Sequence, residues 1–188
     1  LFRSHGMGDT ARGRLFRVAP PGARYEIPKY DLSTPAGATA ALRNPCQSVR
    51  YLAWQALHGF GADATESLTQ MAGDPNPRYR ARALWLLSLI AGRASEALSA
   101  AATDADENVR AMTARMARRH PKLLGEWLAM LMEDDSAMVR REAAIALRDY
   151  PREDAPVIWA ELAARHRRGD RWYLEALGIA AEIGRAHV

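Results

Sequence analysis

Four arginines, Arg50, Arg80, Arg110 and Arg140, follow one another at intervals of 30 residues. Six residues before them stand Asn44, Asp74, Asp104 and Asp134. A polar pair returning at one interval restricts a chain to folds built by repeating one unit. Around each arginine, apolar residues recur at three- and four-residue steps: Val49, Ala53, Ala56, Leu57, Phe60; Tyr79, Ala83, Leu86, Leu87, Ile90; Val139, Ala143, Ala146, Leu147. That is the one-sided stripe of an amphipathic helix.

Punctuation between the stripes sets the unit. DPNP at 74–77 breaks the chain between helices. Ser33-Thr34-Pro35 offers a helix cap with proline in the first turn. Asp63 and Glu66 in DATE predict a capping box, and His120-Pro121 and the Asp154–Pro156 region predict two more helix starts. The spacing therefore predicts helix pairs over 33–60, 61–92, 93–119, 120–149 and 150–183. Five tandem hairpins give an all-α fold, an α-α superhelix in which each hairpin buries its stripe only by stacking on its neighbours.

The register explains the arginine. It follows the turn by about one helical turn, so its apolar stem can lie across the next hairpin while the guanidinium reaches a turn aspartate. The aspartate can belong to the same repeat or to the adjacent one. Asn44, Arg50, Asp74, Arg80, Asp104, Arg110, Asp134 and Arg140 are thus candidates for a structural ladder, with a weaker, neutral first rung at Asn44. Thr113 and Ala117 fall at packing positions of the third repeat and predict a looser layer there.

Residues 1–32 differ in kind. GRLFRVAPPGARYEIPKYDL carries three prolines and a short alternating segment around Leu15, Phe16 and Val18. It reads as one strand followed by an extended arm, because proline removes an amide donor and restricts the residue before it. Residues 33–188 form the solenoid. The start at Leu1 fits a piece of a longer protein. No apolar run approaches the roughly 20 residues of a membrane span.

In the solenoid, VRYLAWQAL, YRARALWLL and VRREAAIAL carry the Asp-x5-Arg register, and over residues 44–149 the chain resembles HEAT repeats. A narrower likeness covers almost the whole chain. GRLFRVAPPG, YDLSTPAGATAALRNP, NPRYRARALWLL and DRWYLEALGIAAE together resemble the middle of large membrane-bound dehydrogenase-type proteins of planctomycete and verrucomicrobial type. That resemblance implies a sugar-dehydrogenase-like β-propeller before the repeats and a c-type cytochrome module after them. It also implies a periplasmic or otherwise extracytoplasmic setting, with the segment around Leu15 as the last propeller strand.

Chemistry finds little purchase in the residues. A single cysteine, Cys46, excludes an internal disulfide and a multi-cysteine zinc site. It stands near a helix start, and a small packed thiol is the preferred reading over a reactive one. His5, His58, His120, His166 and His187 show no metal-ligand spacing. Glu133-Asp134-Asp135 falls at a repeat turn, where Asp134 already answers to Arg140. No catalytic residue, cofactor or metal is therefore expected in this chain, and the resemblance places any haem module outside it.

One helical face remains open to a binding role, the positions one, five and eight after each arginine. Its aromatic end holds Tyr51, Gln55, His58 and Trp85, and its basic end holds Arg115, Arg118, Arg141 and Arg148. Trp85 is the expected aromatic anchor, whereas Trp127, Trp159 and Trp172 are expected in the core or between helices. The net charge of +4, from 26 basic and 22 acidic residues, is too small to decide between partners. The reading favoured is a non-catalytic scaffold whose partner is protein, either neighbouring domains of one parent chain or a separate molecule. The rival is a nucleic-acid groove resembling the alkylpurine glycosylase type of solenoid, with Arg82, Arg115, Arg118, Arg119, Arg141 and Arg148 on phosphates.

Overall fold

A computed structural model describes residues 20–22, 29–150 and 152–181. Ten α-helices lie among these residues, paired as α1 (Pro35–Leu42) with α2 (Gln47–Phe60), α3 (Thr65–Ala72) with α4 (Pro77–Leu89), and α5 (Ala94–Ala102) with α6 (Glu107–Ala117). Two more pairs follow, α7 (Leu124–Leu131) with α8 (Ala137–Ala146) and α9 (Ala155–Ala164) with α10 (Arg171–Ala181). The described residues contain no strand. Second helices stack in sequence, α2 on α4, α4 on α6, α6 on α8 and α8 on α10. The result is the expected all-α solenoid of five hairpins. The strand expected around Leu15, Phe16 and Val18 lies outside the described residues, as does much of the arm.

The second helix of each of the first four hairpins is capped at one register. Cys46, Asn76, Asp106 and Ser136 are the caps of α2, α4, α6 and α8. Asn76 Oδ1 accepts from Arg78 N at 3.0 Å and Asp106 Oδ1 from Asn108 N at 2.9 Å. Ser136 Oγ accepts from Met138 N at 3.2 Å. Cys46 makes no such bond. Ahead of α1 the cap is Thr34, whose Oγ1 accepts from Gly37 N and donates to Asp31. The residues before the first hairpin are thereby folded back on it. A Cβ on Gly37 would sit 2.5 Å from Asp31 O, so this crossing requires glycine.

One expected cap is absent. Asp63 does not close a box with Glu66. The chain after Phe60 tightens into a 3₁₀ turn over Gly61–Ala64, and α3 starts at Thr65 without a side-chain cap. Gly61, at φ 55°, reverses the chain at the end of α2, a conformation that other residues rarely adopt. The turn therefore makes the connection that the capping-box motif was expected to make.

The core runs through the stack as a line of alanines and leucines: Ala53 and Leu57, Ala83 and Leu87, Ala114 and Ala117, Ala143 and Leu147 are all buried. Small residues let second helices approach closely, and the leucines fill the space between them. Thr113 and Ala117 are completely buried in the third layer, and Thr113 Oγ1 has no hydrogen-bond partner among the described residues. A desolvated hydroxyl without a partner costs about 1–3 kcal/mol. Thr113→Val keeps the shape and removes the hydroxyl, so it should stabilise the protein by about 1 kcal/mol. Urea unfolding midpoints of the two proteins check this; a lower midpoint for the valine variant would mean that the layer needs the hydroxyl.

Candidate functional site: an arginine ladder and a paired basic face

Each turn carboxylate or amide first organises its own loop. Oδ1 of Asn44, Asp74, Asp104 and Asp134 accepts the backbone N–H of the cap residue two positions on, in every case at 2.8 Å. The arginine six residues later then closes the same loop from the other side. Arg80 Nη1 donates to the carbonyls of Asp74 and Pro75, both at 3.0 Å. Arg110 Nη1 donates to those of Asp104 and Ala105 at 2.9 and 3.1 Å. Arg50 and Arg140 make the same pair of bonds to 44/45 and 134/135.

The other edge of the guanidinium reaches the next hairpin. Arg80 Nε and Nη2 meet both oxygens of Asp104 at 2.7 and 2.6 Å, and Arg110 meets Asp134 at 2.7 and 3.1 Å. The sequence left the aspartate's repeat open. The structure uses both repeats, carbonyls from the arginine's own turn and the carboxylate from the following one. One planar fork holds two loops in fixed relation, which a lysine could not do.

The ends of the ladder have their own logic. The arginines that hold Asp104 and Asp134 stand 24 residues before them, and the residue 24 before position 44 is Pro20. Asn44 is neutral, and its amide donates to Tyr30 Oη at 3.1 Å. Asp74 is gripped by Arg43 rather than by Arg50. At the far end Asp170 caps α10 through Tyr173 N at 3.0 Å, the bond that Asp106 makes to Val109 N. In that register Arg168 stands at the carboxylate position and Leu174 at the arginine position. Arg140 is only 6% exposed, lies 5.9 Å from the Tyr173 ring centroid, and its Nε has no partner among the described residues. A cation–π contact stands there in place of an ion pair.

The basic face is largely spoken for. Arg115 donates through Nε to Glu142 at 2.9 Å and Arg118 pairs with Asp149. Arg141 lies 3.8 Å from Asp170. Arg82 turns inward, donates to Leu42 O at 2.8 Å at the end of α1, and lies over the Tyr79 ring. Burial, and then the nearby Arg50 charge, lower its pKa. Arg148 is exposed and pairs with no carboxylate among the described residues. The partner carboxylates, 27 residues on from Arg115 and 31 from Arg118, were legible as a near-repeat spacing but were missed because no register singled them out.

The aromatic positions are mixed. Tyr51 is exposed and accepts from Gln55 Nε2 at 3.3 Å. His58 stacks on Trp54, with ring centroids 5.1 Å apart. Trp85 is half-buried against the core, while Ser88 and Ala111, expected on the same open face, are buried. Trp127 is buried and Trp159 bridges α9 to Leu177 O at 2.9 Å. Trp172 corrects the expectation of burial: it is 71% exposed on α10. Among the described residues no helix follows α10 to cover it. Cys46 is also exposed rather than packed. The amides of Val49 and Ser48 at the start of α2 hold its thiol below the usual range.

The repeated geometry now agrees with an independent comparison. Residues 35–118 match the family model for HEAT repeats. This part of the chain is a HEAT-repeat region. The same turn-and-arginine arrangement continues beyond the match to Arg140. No curated protein matches the chain. No helix among the described residues is long and apolar enough to cross a membrane.

Acid should loosen the ladder. Burial raises the pKa of Asp104 and of Asp134, but the hydrogen bonds from Arg80 and Arg110 and from the turn amides outweigh it, leaving both below the ordinary carboxylate value. Depressed groups contribute stability that is complete above their unfolded pKa of about 3.9 and is lost as pH falls through the folded value. Urea midpoints should hold from neutrality to about pH 5 and then drop. In the Asp104→Asn, Asp134→Asn double variant the stability at pH 7 should be lower and the acid drop shallower. Parallel pH profiles for the two proteins would contradict the assignment.

Proposed function

We propose that the chain is a non-catalytic scaffold, a repeat module that binds protein and not nucleic acid. The observation that carries this reading is the pairing of the basic face. Arg115, Arg118 and Arg141, three of the arginines that a phosphate groove would need, face carboxylates of the following hairpin. Phosphate binding would have to compete with Glu142, Asp149 and Asp170. Glu142, through its hydrogen bonds, also holds the Arg115 pKa up. The HEAT-repeat match supports the same class of role, because such repeats present extended surfaces to other proteins.

The finer setting rests on the resemblance of GRLFRVAPPG, YDLSTPAGATAALRNP and DRWYLEALGIAAE to dehydrogenase-type proteins. On that basis the solenoid joins a β-propeller to a cytochrome c module in an extracytoplasmic redox protein, with residues 1–32 as the link to the propeller and 33–188 as the stack. Tyr51 and the open edge of Trp85 are the aromatic contacts this role would use. Arg148 and the paired arginines would form the rim.

Duplex DNA separates this reading from its rival. At about 150 mM salt the protein should bind duplex no tighter than about micromolar, without preference for damaged sites, and with a strong loss of affinity on adding salt. Replacing Arg115, Arg118 and Arg148 together should reduce that binding and leave the circular dichroism spectrum unchanged. Nanomolar, lesion-selective binding under the same conditions would overturn the scaffold in favour of the groove.

A further inference from the structure

The ladder matches cation to carboxylate at its second and third junctions but not at its first. Arg80 and Arg110 use Nη1 on their own turn, and Nε and Nη2 on the carboxylate 24 residues on. Arg50 uses Nη1 in the same way, on the carbonyls of Asn44 and Pro45. The carboxylate 24 residues on from Arg50 is Asp74, which pairs with Arg43 instead. Nε and Nη2 of Arg50 donate to no group among the described residues, and unlike Nε of Arg140 they are not buried.

A second pairing is missing at the same junction. Arg115 on α6 meets Glu142 on α8, 27 residues on. Between α2 and α4 the corresponding positions hold Gln55 and Arg82, so a cation stands there without a carboxylate. Gln55 donates to Tyr51 Oη, and Arg82 is half-buried with Nη1 on Leu42 O. Arg78, one turn before Arg82 on α4, is exposed and pairs with no carboxylate among the described residues. Burial lowers the Arg82 pKa, and so do the charges of Arg50 and Arg78. The Arg82 guanidinium thus lies within electrostatic reach of both.

We infer that Arg50, Arg78 and Arg82, where α2 meets α4, hold an acidic side chain of a protein partner. The inference rests on the scaffold reading and names what that surface takes. The grip of Arg80 and Arg110 on both oxygens of Asp104 and Asp134 is the template, because the same edge of Arg50 presents the same two donors. An incoming carboxylate would also offset the mutual repulsion of the cations. A duplex backbone is the poorer fit. It needs a row of open cations, whereas Arg50 and Arg82 are half-buried between two hairpins and Arg115, Arg118 and Arg141 are already paired. One side chain can enter where a row of phosphates cannot.

The probe is a fluorescein-labelled, acetylated tetra-aspartate peptide, read by anisotropy against the full chain at about 50 mM salt, where exposed charges are weakly screened. Binding should saturate below about 1 mM protein. Arg78→Gln with Arg82→Gln should weaken it about tenfold. Arg167→Gln with Arg168→Gln removes the same charge from the exposed turn after α9 and should weaken it less than about twofold. Arg50→Lys keeps the charge but loses the fork, and should weaken it about fivefold. Gln55→Glu supplies the missing carboxylate within the chain. It should weaken peptide binding about tenfold without lowering the melting temperature, a result that damage to the fold would not imitate. Equal losses from the two double variants, or no saturable binding, would overturn the site and leave the scaffold reading intact. Nanomolar duplex DNA binding would overturn the scaffold reading and with it the protein partner, even where the peptide still binds.

Discussion

A guanidinium that holds two turns at once sets the geometry of this solenoid. Stacked hairpins of alanine and leucine bury apolar surface well, but such surfaces are smooth, and many relative placements bury similar areas. Arg80 and Arg110 remove that freedom. Each fixes the two carbonyls of its own loop and the carboxylate of the next, so a slide between layers would break several charge-assisted hydrogen bonds together. The pairs are partly shielded: Arg80 and Asp104 side chains are 18% and 7% exposed. A pair at this depth is worth more than a surface pair and loses much when one member is removed.

The ladder also explains where the repeat stops. Asn44 is neutral and donates to Tyr30 Oη, and Arg140 lies by the Tyr173 ring, with Arg168 at the position where a carboxylate would stand. Leu174 stands at the arginine position of the fifth hairpin, an apolar residue in place of an ionic rung. On the neighbouring face, Glu142 and Asp149 answer Arg115 and Arg118.

The hairpin count and the stacking order were legible because the Asp-x5-Arg register is rigid and the apolar stripes have helical period. Which aspartate each arginine would grip was not legible, since one spacing allows both repeats and only the stacking offset brings Asp104 to Arg80. The caps at Cys46, Asn76, Asp106 and Ser136 were hidden by their chemical variety, although their spacing equals that of the arginines. The capping box at Asp63 and Glu66 failed because Gly61 takes the chain into a 3₁₀ turn first. Trp172 was misplaced for a different reason. A helical stripe tells which residues are apolar, but at the end of a stack it does not tell whether a neighbour is present to cover them.

The arginine forks, and not hydrophobic stacking alone, couple one layer to the next. A double-mutant cycle on Arg110→Ala and Asp134→Ala, read by urea unfolding at pH 7, measures that coupling directly. The expected interaction energy for this pair is about 1–3 kcal/mol. A matched cycle on Arg115 and Glu142, where the arginine is 59% exposed, should give less than about 1 kcal/mol. A coupling for Arg110 and Asp134 below about 0.5 kcal/mol would contradict the account.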